Sequence, residues 1–290
     1  MINSPYHLPV MLDEVMGHFR GMESGTIIDG TLGGGGHAEA FLSSFPGINV
    51  IGLDKDPEAI MFSRNRLAPF GERVKLINTG FEDIPEQVEA NEVSDLAGVI
   101  LDLGLSSHQI NVPARGFSFM KDGTLDMRFN PENKLTAEYV VNNYPEEKLS
   151  DIFFRYGEER NSRRIACAIV MERKKNPIKT TSDLAATVER AGGYHVKTRA
   201  RIFQALRIEV NDELSALQKS LEKVPPLLRR GGLFAVISYH SLEDRMVKTT
   251  FRSRENGLKR LHKKVIRPSL TETLNNPRSR SALLRVAEKE

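Results

Sequence analysis

The stretch Thr26-Ile27-Ile28-Asp29-Gly30-Thr31-Leu32-Gly33-Gly34-Gly35-Gly36-His37 constrains this chain more than any other. β-branched residues lead into an acid, then a glycine run, then the helix-like start Ala38-Glu39-Ala40. That order predicts the first strand of an α/β sheet turning sharply into a helix. Glycines there allow positive φ and let a ligand approach with no Cβ in the way. Asn49-Val50-Ile51-Gly52-Leu53-Asp54 predicts a second strand ending in an acid. That acid lies about 20 residues past the glycines, the usual distance for gripping a ribose diol. A nucleoside-containing cofactor is expected.

The glycines alone leave the cofactor open. Gly33-Gly34-Gly35-Gly36-His37-Ala38 fits the dinucleotide pattern G-x-G-x-x-A, but inside a glycine run almost any template fits. No G-x-x-x-x-G-K-[ST] occurs, which argues against a P-loop nucleotidase. Asp29 tips the balance. Its carboxylate would repel a pyrophosphate seated on the turn and suits the cationic amino-acid end of S-adenosylmethionine. A methyltransferase is therefore preferred over an NAD-dependent oxidoreductase. A non-catalytic RNA-binding protein with a vestigial fold is the third reading.

The α/β rhythm continues. Pro57 to Leu67 predicts a helix, with Asp56 as N-cap and Pro57 at the first helical position. Val74-Lys75-Leu76-Ile77-Asn78 predicts a third strand. Leu96-Ala97-Gly98-Val99-Ile100-Leu101-Asp102 predicts a fourth, nearly all apolar, as suits burial on both faces. Asp29, Asp54 and Asp102 would share the carboxyl edge, where open parallel sheets bind ligands.

From about Asn111 the rhythm breaks, and helices are expected at 145–154, 161–174 and 182–190, the last capped by Ser182 or Thr181. A long helix is expected from about Arg201 to Leu228, then a fifth strand over 233–239. Lys264-Val265-Ile266 and Ala282-Leu283-Leu284-Arg285-Val286 predict a terminal antiparallel pair. The expected organisation is a discontinuous sheet domain, residues 1–110 and 200–290, with a helical insertion at residues 111–199 for substrate recognition.

The 290 residues allow one large or two ordinary domains. With 41 Lys and Arg against 38 Asp and Glu, the whole-chain charge announces no polyanion partner. The cations are uneven, however. From Arg245 to Arg267 nine basic residues face the single acid Glu255, a run that could track phosphates or form a solvated face. One cysteine, Cys167, excludes an internal disulfide or CxxC metal framework. It reads as core, a small buried hydrophobe. No ligand spacing supports a metal. With no signal-like apolar core and no membrane-length apolar run, a cytoplasmic protein without membrane contact is expected.

Several motifs together carry a resemblance. They are Asp29-Gly30-Thr31-Leu32-Gly33-Gly34-Gly35-Gly36-His37; Leu101-Asp102-Leu103-Gly104-Leu105-Ser106-Ser107 with Gln109; and Arg115-Gly116-Phe117-Ser118-Phe119 through Leu125-Asp126-Met127-Arg128. Others are Tyr156-Gly157-Glu158-Glu159, Phe203-Gln204-Ala205-Leu206-Arg207-Ile208 with Asn211, Ser241-Leu242-Glu243-Asp244-Arg245, and Asn276-Pro277-Arg278-Ser279-Arg280-Ser281. From His7-Leu8-Pro9-Val10 to Arg285 the chain resembles the ribosomal RNA small-subunit methyltransferase H family, bacterial enzymes that methylate N4 of a cytidine in 16S rRNA. It departs at Thr124, where proline is usual; at Thr198-Arg199-Ala200-Arg201, where a Pro-Ala-Thr-Arg-like run is frequent; and at Tyr239, where phenylalanine is common.

The resemblance implies a doubly wound class I S-adenosylmethionine-dependent methyltransferase fold. Its cofactor residues would be Gly35, Gly36, His37, Asp54, Phe81, Asp102 and Gln109. Asp54 would accept from the ribose hydroxyls and Phe81 would stack on adenine. The implied partners are 16S rRNA and the small ribosomal subunit, at the P site of the decoding region; a homodimer is left open.

Methyl transfer from a sulfonium needs alignment of nucleophile, methyl and sulfur. A cytosine amine is a poor nucleophile, which a nearby acceptor can improve. Asp102, with Ser106 and Ser107 in the loop that follows, is the candidate, although no [DNS]-P-P-[YF] motif is present. His240, Ser241 and Asp244 lack a hydrolase context; Ser241 reads as a helix cap with Asp244 as its partner. Arg115, Phe117, Arg128, Arg199, Arg201 and Arg207 combine cations with aromatics, as suits splayed RNA.

Overall fold

A computed structural model describes residues 9–192, 195–253 and 255–290, with the side chain of Ser107 excepted. His7 and Leu8 of the first motif, and Arg254 of the basic run, lie outside the described residues. The chain divides into two units, 1–106 with 214–290, and 107–213.

The first unit is a seven-stranded sheet in the order β3-β2-β1-β4-β5-β7-β6. Its strands are β1 (Gly25–Asp29), β2 (Ile48–Leu53), β3 (Val74–Ile77), β4 (Leu96–Asp102), β5 (Leu233–Ser238), β6 (Leu258–Arg260) and β7 (Leu283–Lys289). The first five run parallel; β7 pairs antiparallel with both β5 and β6. Alternation along each strand feeds two cores. Ile27, Val50, Ile100 and Ala235 pack in one layer with Phe19 and Phe41; Ile28, Ile51, Val99 and Phe234 pack in the other with Ile84, Leu221 and Phe251. Burial on both faces explains why β4 reads as a continuous apolar run. The terminal pair differs from expectation. β7 takes Leu258–Arg260 as its ladder partner, and Ile266 contributes only an isolated bridge to Leu284.

The second unit is helical: Ala137–Asn143, Glu146–Arg155, Ser162–Arg173, Thr181–Arg190 and Val196–Asn211. Phe153, Ile165, Val188 and Leu206 are among its fully buried side chains. Thr180, one or two residues before the expected caps, closes a capping box with Asp183. The expected helix over 201–228 is two helices. Asp212 takes φ 51°, which ends Val196–Asn211, and Glu213–Lys223 starts afresh. The break moves the boundary of the sheet unit from 200 to 214, because Val196–Asn211 packs on the neighbouring helices of the second unit. Helix periodicity runs through the break, so pattern alone did not reveal it. Cys167 is exposed, contrary to the core assignment; Ile165, Ala166 and Ile169 take the buried face of that helix.

No helix among the described residues is long and apolar enough to cross a membrane.

Candidate active site

The sheet register brings three acids to one edge. Asp29 ends β1 opposite Gly52 of β2 and Ile100 of β4. Asp54 and Asp102 each lie two residues beyond those partners. The turn after Asp29 is tied into the sheet by Gly30 N–H donating to Ile100 O at 2.9 Å and Leu32 N–H to Leu53 O at 2.9 Å. Gly33 N–H then donates to Asp54 Oδ2 at 2.8 Å, and Asp54 Oδ1 accepts from Asp56 N–H at 2.8 Å. The Asp54 carboxylate is thus oriented by the glycine turn itself. Gly35 caps helix Gly36–Ser44 at φ 72°, a left-handed conformation in which a side chain is strained.

Asp29 is 1% exposed, and its Oδ2 is buried without a hydrogen-bond partner. Burial raises its pKa to about 7; the Thr31 amide opposes this, and the Asp102 and Asp54 carboxylates add to it. A buried, half-satisfied carboxylate with anionic neighbours is a receptor for a cation carrying N–H donors. His37 is also buried. Its Nε2 lies 3.1 Å from Val10 O, and burial lowers its pKa to about 4, so the neutral ring donates to that carbonyl.

Asp102 extends the pattern. Its backbone N–H donates to Thr31 Oγ1 at 2.5 Å, locking β4 to the glycine turn. Its Oδ1 accepts from Tyr239 O–H at 2.7 Å. Burial raises the Asp102 pKa to about 6 against the lowering effects of the Tyr239 hydroxyl and the Gly104 amide. Tyr239 is held from behind. Glu243 Oε2 accepts from Tyr239 N–H at 2.8 Å and from His240 N–H at 3.3 Å. The cap of helix Ser241–Arg252 is therefore His240 with Glu243, one residue earlier than the expected Ser241 and Asp244. Asp244 instead pairs with Arg285. A Cβ on Gly104 would sit 2.6 Å from the Tyr239 ring, so only glycine lets the tyrosine lie under the loop after β4.

The profile of the MraW methylase family matches residues 4–290. The chain belongs to the MraW methylase family. It is 45% identical over 293 residues to the ribosomal RNA small subunit methyltransferase H of Coprothermobacter proteolyticus, covering 100% of this chain and 98% of the relative. Likeness to proteins of the same name in Dehalococcoides mccartyi (44% identity, 100% and 88% covered) and Carboxydothermus hydrogenoformans (43%, 98% and 97%) is similar. As a MraW-family methylase the chain is a methyltransferase.

This methylase carries the other sequence-selected residues in different settings. Phe81 is half-buried at the start of the turn Phe81–Asp83. Its Cβ lies where a Cβ on Gly30 would come within 2.9 Å, and its carbonyl accepts from Ser220 Oγ at 2.9 Å. The residue therefore borders the glycine turn at its Cβ and packs against the layer that holds Ile28, Ile84 and Leu101. Ser106 is the last residue of that segment in the sheet unit. Ser107 and Gln109 lie on helix Ser107–Asn111 of the second unit, Gln109 buried.

The second unit spends several of its cations internally. Arg128 forms a bidentate pair with Asp126 and also donates to Pro131 O and Asn133 O. Arg207 pairs with Glu213 at 2.8 and 2.9 Å. Arg199 pairs with Glu189 and lies over the Phe119 ring. Arg115 donates to Arg128 O and Phe129 O and stands over Phe117, which stacks on Phe129. Arg201 makes a 3.5 Å contact to Glu159, and its side chain is 47% exposed. No group of three or more potential metal ligands occurs among the described residues.

The carboxylate that sequence reading did not carry into its cofactor set is Asp29, although its place at the strand end was noted. Glu243 was missed as well. Its signal was the i+3 spacing from His240, hidden because histidine is an uncommon cap.

Proposed function

We propose that this chain transfers a methyl group from S-adenosylmethionine to N4 of a cytidine in 16S rRNA of the small ribosomal subunit, in the cytoplasm. The observation that carries the reading is the unsatisfied Oδ2 of Asp29, set beside Asp54 and Asp102 around a glycine turn. That donor set fits S-adenosylmethionine: a buried anion for the ammonium and a fixed acid for the ribose diol. The same set disfavours a dinucleotide, whose pyrophosphate would face Asp29. When bound, S-adenosylmethionine supplies an activated methyl on a positively charged sulfur.

In this reading Asp29 holds the α-ammonium and Asp54 the ribose hydroxyls. Gly35 and Gly36 let the methionine part pack on the main chain. Phe81 borders the adenine, His37 braces the helix start through Val10, and Gln109 is carried as a further cofactor contact. Asp102 accepts an N–H of the cytosine amine. That contact draws the nitrogen lone pair out of ring conjugation as the N–C bond forms and the S–C bond breaks. The proton displaced from nitrogen passes to Asp102 or, through it, to water. Ser106 borders the base. Among the second-unit cations, Arg201 has the weakest internal commitment and is the first choice for RNA contact, ahead of Arg115, Arg128, Arg199 and Arg207.

Mass spectrometry of 16S rRNA nucleosides from cells with and without the gene tests the proposal. Loss of N4-methylcytidine on deletion, restored by the wild-type chain and not by Asp29→Ala, is the expected result. An unchanged nucleoside profile would refute it.

A further inference from the structure

A second cluster of cations lies at the β6 end of the sheet. Lys248 and Arg252 from helix Ser241–Arg252, Arg260 from β6, and His262 and Lys264 after it converge on one shallow cleft. Its other lining residues are Phe251, Val286 and Arg285.

The charges there are not balanced. Arg285 is already neutralised by Asp244, at 2.7 and 3.1 Å. Lys259, next to the cleft, stands opposite Glu288 in the β6–β7 register. Lys248, Arg252, Arg260 and Lys264 are all exposed, and no described ion pair includes any of them. Four unpaired cations held close together repel one another. Folding alone gives no reason for them to gather on two neighbouring elements with an apolar floor.

The cleft also has a direction. Arg260 pairs with Ala287, well down β7, while Ile266 bridges Leu284. Leu283 lies opposite Ser238, and Asp102 opposite Ile237. The segment from Arg260 through His262 and Lys264 therefore climbs towards the edge that carries Asp102.

We infer that this cleft binds the phosphodiester backbone of an RNA strand, with Lys248, Arg252, Arg260 and Lys264 each meeting phosphate oxygens. Exposed point charges spread along a helix, β6 and the segment after it suit a repeating polyanion better than a single small anion. The inference takes from the proposed function only the identity of the polyanion. Contacts of this kind fix register on the strand and leave base choice to the catalytic edge.

The test uses the full chain and a short fluorescein-labelled single-stranded RNA, with affinity measured by anisotropy across a salt series. Each phosphate neutralised on a single strand contributes about −0.7 to the slope of log K against log salt. Combined Lys248→Gln, Arg252→Gln, Arg260→Gln and Lys264→Gln should flatten the slope by roughly 2 to 3 and weaken binding at least about tenfold at moderate salt. The charge-preserving set Lys248→Arg, Arg252→Lys, Arg260→Lys and Lys264→Arg should bind like wild type. S-adenosylmethionine binding by calorimetry, carried in parallel, reports on the other site. An unchanged slope in the glutamine variant overturns the inference. So does an unchanged RNA affinity accompanied by new self-association, which would mean that the charges only guard the β6 edge. Loss of RNA affinity in a chain that ignores S-adenosylmethionine would support the cleft and refute the proposed function.

Discussion

The Tyr239 hydroxyl donates to Asp102 Oδ1 at 2.7 Å, joining the ends of two adjacent parallel strands through their side chains. A phenylalanine at 239 would keep the ring and lose this bond. Burial pushes Asp102 up to about 6, and the tyrosine hydrogen bond restrains the shift. The acidic limb of the methylation rate should therefore lie near pH 6. Tyr239→Phe should move it upward by about one pH unit, with S-adenosylmethionine affinity unchanged. A limb that stays in place would reduce Tyr239 to a packing role.

Removing the carboxylate itself should be more severe. Asp102→Ala is expected to lower methyl transfer by about 10²–10⁴-fold while the folded protein keeps its affinity for S-adenosylmethionine. Asp54→Ala should do the converse, abolishing measurable cofactor binding. Single-turnover methylation beside isothermal calorimetry separates the two. Normal turnover by the Asp102 variant would remove that residue from the chemistry.

Asp29 makes a prediction about stability. Its native pKa, about 7, is above the ordinary carboxylate value. Between the two values the folded chain holds a proton that the unfolded chain has released, so ligand-free stability falls as pH rises towards 7 and then levels off. Asp29→Asn should stabilise the ligand-free protein at pH 8 by about 1–4 kcal/mol and weaken cofactor binding. Denaturant unfolding at pH 5 and pH 8 checks the sign, with the gain expected mainly at the higher pH.

Asn211 anchors the second unit. Its Oδ1 accepts from Phe129 N–H at 2.7 Å, and its Nδ2 donates to Met127 O at 2.7 Å and Arg207 O at 2.9 Å. Met127 takes φ 63° at this point, so the side chain satisfies backbone that no ladder can reach. Asn211→Ala should cost about 2–3 kcal/mol. Hydrogen exchange at Phe129 should report the loss first, and unchanged protection there would contradict this role.

Cys167, exposed on helix Ser162–Arg173, should be dispensable. Cys167→Ser is expected to change stability by no more than about 0.5 kcal/mol and to leave methylation intact. Loss of activity would assign Cys167 a part in the reaction.

The parallel strands were legible along the chain, because a strand buried on both faces, as β4 is, must be an apolar run, and each run ended in a visible acid or turn. The glycine turn and Asp54 were legible too, since their spacing is fixed along one chain segment. What depends on partners elsewhere in the chain emerged only on folding. Asp29 and Asp102 gained raised pKa values only when folding buried the strand ends that carry them. Tyr239 met Asp102 across 137 positions of sequence. Arg128 and Arg207, expected among the cations for RNA, also pair with Asp126 and Glu213 in the fold. Cations that seemed only a run along the chain became a cleft once β6 and helix Ser241–Arg252 folded together. Local pattern records what a segment must bury; it carries no record of which charge will lie opposite.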